Sequence, residues 1–182
     1  MSIDRHLDPQ ALDVLISELL VATADGCDPE IGDRITEVLG ELRRKLNMDL
    51  VFVSEFSEGQ RVFRFVEGDP ALGIQAGDAA PLEQSYCQHV VQGRLPELVQ
   101  DASALSEALA LPPTRFPVGA HLSTPVQLSD GRIYGTLCCF STQANRALQS
   151  ADLSRLKGCA RLVARKIEAS EFRDTEVDWT AL

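Results

Sequence analysis

The apolar positions divide the chain into stretches of two different periods. Leu12, Leu15, Ile16, Leu19 and Leu20 recur at helical spacing just after Asp8-Pro9, where Asp offers an N-cap and Pro a pre-set first helical residue. The signal returns at Asp28-Pro29, followed by Ile31, Ile35, Val38, Leu39, Leu42 and Leu46. Two helices therefore fill residues 1–48, with a break at 24–28. The period then falls to two: Leu50 to Phe56 and Arg61 to Val66 read as strands, joined by a tight turn at Ser57-Glu-Gly-Gln60. Residues 68–80 hold three glycines and a proline and read as a loop. Pro81 to Val91 reads as a helix stopped by Gly93, Leu95 to Val99 as a short strand, and Ser103 to Ala110 as a short helix ended by Pro112-Pro113. Gly119 to Leu128 and Arg132 to Ser141 form the strongest hairpin in the chain, because Asp130-Gly131 accepts positive φ.

The last helix starts at Ser150, with Asp152 in its first turn, and is expected to span 150–173, leaving 174–182 as a tail. Leu153, Leu156, Ala160, Val163 and Ile167 step by 3, 4, 3, 4 along it. Such a stripe seeks a helical partner, and with the first two helices it predicts a homodimer. The order αα-ββ-α-β-α-ββ-α predicts one α+β domain, its sheet and pocket within residues 49–149. The terminal helices are expected on one face of an antiparallel sheet and a small-molecule pocket on the other.

Composition narrows the function. Lys and Arg total 17 against 27 Asp and Glu, a net charge of −10, which repels nucleic acid and anionic membranes. No apolar run approaches the roughly 20 residues of a membrane span, and the N-terminus carries no apolar signal core. The five cysteines lack CxxC spacing and are odd in number, the pattern of reduced thiols in a cytoplasmic protein. HExxH, GxSxG and Walker A motifs are absent, which favours a binding module over an enzyme.

Three segments carry a family resemblance: Val51 to Phe65, Ser85 to Asp101, and Gly119 to Phe140 with its Asp-Gly turn and Gly-Thr-Leu-Cys run. From Asp49 to Glu168 the chain resembles a GAF domain, closest in texture to bacterial GAF domains beside cyclic-di-GMP phosphodiesterase or cyclase domains. The resemblance implies a five- or six-stranded antiparallel sheet, a ligand pocket on one face and dimerisation through flanking helices. It specifies neither ligand nor cofactor, since one fold hosts many functions. The expected role is a non-catalytic bacterial sensor that binds a small molecule and signals through its helices, either alone or as part of a longer signalling protein.

The expected ligand contacts are Tyr86, Cys87, Val90, His121 and Ser123, with Phe52 or Phe65 as wall and Arg115 facing an anionic ligand. His121 and Ser123 share a strand face by period two, and Cys138 and Cys139 are expected on opposite faces. Members of the resembled family that carry linear tetrapyrroles attach them through a Cys followed directly by His; here Gln88 separates Cys87 from His89, which argues against a bilin sensor. Free methionine-(R)-sulfoxide reductases are stand-alone members of the same family. That reading, or a redox sensor, needs an activated thiolate with a second thiol in reach. Glu83, one turn before Cys87, is expected to raise that thiol's pKa.

Overall fold

The computed structural model describes residues 8–103, Leu105 and 113–178, with side chains as far as Phe172 apart from that of Gln84. Helices α1 (Pro9–Ala22) and α2 (Pro29–Lys45) begin at the two Asp-Pro pairs. The Asp8 carboxylate accepts from the Gln10 N–H at 3.3 Å and Asp28 from the Ile31 N–H at 2.8 Å, answering donors that a helix start leaves unpaired. Strands β1 (Leu50–Ser57) and β2 (Gln60–Gly68) meet at Glu58 and Gly59, with φ of 50° and 74°. Positive φ at both central residues matches the right-handed twist of the strands.

The helix expected over Pro81 to Val91 is divided. Pro81 closes a short strand β3 (Ala79–Pro81), a single 3₁₀ turn covers Leu82–Gln84, and helix α3 spans only Tyr86–Val91. The cause is Ser85, whose hydroxyl accepts the Gln88 N–H at 3.2 Å and so opens a new helix in mid-segment. Strands β4 (Leu98–Val99), β5 (Ala120–Gln127) and β6 (Ile133–Ser141) follow. Helix α4 (Ser150–Asp178) passes the expected end at residue 173. The helix expected at 103–110 lies mostly outside the described residues.

All strand pairs are antiparallel, in the order β3-β2-β1-β6-β5-β4. Helices α1, α2 and α4 cover one face, where Val51, Val53, Leu122, Leu137 and Cys139 meet Leu12, Ile35, Leu39 and Leu162. The stripe on α4 belongs to this core: Leu156 is 0 % and Val163 4 % exposed. The 3-4 spacing therefore reports packing against the chain's own sheet and helices, which corrects the expectation that it faces a second chain. On the opposite face Leu50, Phe52, Phe63, Cys138 and Phe140 pack beneath Tyr86, Cys87 and Val90 of α3.

Candidate functional site

A cavity of about 130 Å³ lies on this second face, between the sheet, α3, the 74–80 segment and residues 113–118. Phe52, Phe63, Phe116, Phe140 and Tyr86 form its apolar wall. The Phe52 ring meets Phe63 edge-on at 4.8 Å, and Phe140 touches Phe52, Tyr86 and Phe116 at 5.5, 6.0 and 6.3 Å. Three of these contacts are edge-on, which suits the ring quadrupoles, and Phe52–Phe140 is tilted.

The polar groups of the cavity are Arg61, Asp78, Thr114 and Arg115. Arg61 lies over the Phe63 ring, 4.5 Å from its centroid, and its Nε is buried without a hydrogen-bond partner. Arg115 reaches Asp78 at 3.4 Å across the mouth, with most of its side chain exposed. Asp78 is held in turn by the Gln75 N–H at 3.1 Å. A guanidinium facing an aromatic wall with an unpaired N–H is a donor available to a bound acceptor.

The expected contacts fall into three groups. Phe52, Tyr86 and Arg115 line the cavity. Cys87, Val90, His121 and Ser123 lie on the same side of the sheet, packed behind that wall; Tyr86 and His121 meet edge-on at 5.8 Å. Phe65 lies on the other face, against the helical layer. The reason is a bulge in β2: Val53 pairs with Phe65 but Ser54 pairs with Phe63, leaving Arg64 as the extra residue. An extra residue reverses the alternation, so Phe63 takes the wall position in place of Phe65.

Behind the wall, Cys87 and Cys138 bring their sulfurs to 3.7 Å, and both are 0 % exposed. Ser123 Oγ lies 2.9 Å and Thr136 Oγ1 3.3 Å from Cys138 Sγ; Thr136 meets Ser54 at 2.9 Å. Arg61 Nη1 points at Cys87 Sγ from 3.9 Å. The bond from Cys138, reinforced by the charge of Arg61, lowers the Cys87 thiol to about 6 against the pull of burial, while Cys138 is pushed up, chiefly by burial. Glu83 is exposed, and the charge that acts on Cys87 is Arg61, which reverses the expected direction. Cys139 faces the helical layer, as period two predicts, and burial raises its thiol. His89 is turned away, its Nδ1 3.0 Å from the Ser85 carbonyl. Buried His121 places Nε2 3.1 Å from the Pro96 carbonyl, and burial lowers its pKa to about 4 although that bond acts the other way.

Arg61 and Asp78 are the groups that the sequence reading missed. Arg61 shares the parity of Phe63, two residues on, and that was its available signal. Asp78 sits in a segment without periodicity. Among the described residues, no group of three His, Cys, Asp or Glu side chains is placed to hold a metal ion, and no helix is long and apolar enough to cross a membrane.

The GAF domain profile matches residues 30–168. The fold is shared with the GAF domain of an Acinetobacter phosphoenolpyruvate-protein phosphotransferase, at 15 % identity and a TM-score of 0.66 over 91 % of this chain and 96 % of that one. It is shared too with the free methionine-R-sulfoxide reductase of Neisseria meningitidis, at 16 % identity and 0.64 over 95 % and 96 %. The chromophore-binding domain of a Stigmatella aurantiaca bacteriophytochrome matches at 12 % identity and 0.62, over 92 % of this chain and 64 % of that one. No curated protein matches the sequence.

Proposed function

Because this chain belongs to the GAF domain family, we propose that it is a non-catalytic sensory domain whose ligand is a small organic anion with an apolar body. The aromatic cavity carries the reading: its described lining holds two guanidinium groups, Arg61 and Arg115, against one carboxylate, Asp78. A monoanion balances that charge, and the phenyl walls receive its apolar part. Ligand binding biases the arrangement of α3 and the 113–118 segment, as it must to carry a signal. Thermal unfolding with small monocarboxylates, and with amines of the same shape, tests this. A carboxylate at 100 times its Kd adds about 2.7 kcal/mol, a rise of roughly 5–10 °C. Arg61→Met removes the rise; an equal rise with the amines defeats the reading.

The sensor is proposed to work in the bacterial cytoplasm as a homodimer, signalling through its helical layer. The α4 stripe is occupied within the chain, so the dimer surface falls on the outer face of α1, where Val14 and Val21 are 56 % and 78 % exposed. An output through cyclic-di-GMP phosphodiesterase or cyclase domains rests on sequence texture alone.

A second reading, a free methionine-(R)-sulfoxide reductase-like enzyme, is favoured by one observation, the Cys87–Cys138 approach. Against it, neither sulfur lines the cavity. A thioredoxin-coupled assay with free methionine sulfoxide decides: the sensory reading predicts background rates, and turnover abolished by Cys87→Ser establishes the enzyme.

A further inference from the structure

We propose that Cys87 and Cys138 form a redox-active dithiol, which a small hydroperoxide oxidises to an intramolecular disulfide that ties α3 to the sheet. Five cysteines allow ten pairings, and all five are buried and outside any disulfide. The structure brings the sulfur of the first turn of α3 to 3.7 Å from one in the middle of β6. A disulfide needs about 2.05 Å. Closing the rest asks for rotation about the Cα–Cβ bonds and a small shift of α3. That helix is a single six-residue segment, and Gly93, at φ 70°, follows it closely.

The surroundings divide the chemistry between the two sulfurs. Cys87 receives the Cys138 hydrogen bond and faces Arg61, so it is the thiolate and the nucleophile. Cys138 stays a thiol until its partner is oxidised. It then loses its proton, and Ser123 Oγ at 2.9 Å is placed to stabilise the resulting charge. The oxidant arrives through the aromatic cavity, because Arg61 both lines the cavity and touches Cys87. A hydroperoxide is small enough for a space of about 130 Å³.

In the first step the Cys87 thiolate attacks the terminal peroxide oxygen. The S–O bond forms, the O–O bond breaks, and the leaving alkoxide takes a proton to become an alcohol. In the second step the Cys138 sulfur, having given up its proton, attacks the Cys87 sulfenic acid. The S–S bond forms and the leaving hydroxide takes up that proton as water. Two thiols and one hydroperoxide thus give one disulfide, one alcohol and one water. Arg61 touches the oxidised sulfur and lines the cavity as well. Redox state and ligand binding then meet at one residue.

The test is peptide mapping of the full chain. The reduced folded protein is treated with hydrogen peroxide, blocked with N-ethylmaleimide under denaturing conditions and digested with trypsin. The expected product joins peptide 65–94, which holds Cys87 alone, to peptide 133–146, which holds Cys138 and Cys139. Fragment ions place the link at Cys138. It persists in Cys139→Ser and disappears in Cys138→Ser, where Cys87 instead accumulates as a dimedone-trapped sulfenic acid. Wild type treated in urea gives mixed pairings. The proposal is overturned if Cys87 and Cys138 both remain maleimide-labelled after excess peroxide in the folded protein. It is overturned equally if the link maps to Cys139.

Discussion

Acidification is predicted to weaken this fold through His121. The imidazole is 0 % exposed, lies edge-on to Tyr86 and Phe140 at 5.8 and 5.7 Å, and donates from Nε2 to the Pro96 carbonyl. Its Nδ1 is buried without a partner, so a second proton there would create a charge that nothing answers. Burial lowers the pKa from 6.5 to about 4. Between those values the unfolded chain holds the extra proton more often than the folded one, so stability rises with pH. The contribution is complete above pH 6.5 and is lost as pH falls through 4. The shift corresponds to about 3 kcal/mol in all, of which about 2 kcal/mol goes between pH 7 and 5. With a urea slope of about 2 kcal/mol/M, the unfolding midpoint falls by about 1 M over that interval. Cys87 adds to the trend, since its lowered thiol gives stability that is lost as pH falls from 9 through about 6. The variant His121→Gln, which keeps an N–H donor but does not titrate, isolates the histidine: its midpoint should fall about 1 M less than wild type between pH 7 and 5. Identical pH dependence in the two proteins refutes the reasoning.

Three other changes have defined outcomes. At Gly135 an added Cβ would sit 1.9 Å from the Ser54 carbonyl oxygen of the neighbouring strand; Gly135→Ala is expected to cost at least about 3 kcal/mol in urea unfolding, because backbone is what it meets. Val14→Glu with Val21→Glu is expected to give folded monomer in sedimentation while wild type sediments as a dimer, whereas Leu156→Glu, in the core, should lose the far-ultraviolet helical signal altogether. Co-expression with bilin-making enzymes should leave the protein colourless, since Cys87 faces Cys138 and the cavity is well below the roughly 300 Å³ that pockets for drug-sized ligands begin at; a zinc-fluorescent band on a denaturing gel would contradict this.

The order of elements was legible where the local chemistry is one-sided. Asp8-Pro9 and Asp28-Pro29 start helices that need no tertiary help to be placed, and Glu58-Gly59 turns a hairpin by backbone preference alone. Period two puts Cys138 and Cys139 on opposite faces, and the structure places them so. Phe65 was misplaced because one bulged residue, Arg64, cancels that rule locally, and nothing in the sequence marks the bulge. The α4 stripe resembles a seam between chains because a heptad-like step is the same whether the groove it fills belongs to another chain or to its own sheet. The 3.7 Å approach of Cys87 and Cys138, 51 residues apart, is a property of register and helix placement, which no local pattern encodes.

Ligand-observed NMR with a library of small anions, cations and neutral molecules of matched shape tests the central claim most directly. The account predicts that binders are predominantly monoanions with an apolar body, that they broaden in a saturable way, and that Arg61→Met and a cavity-filling Val118→Phe each abolish the effect while the fold persists. Binders chosen without regard to charge, or unaffected by both substitutions, would contradict it.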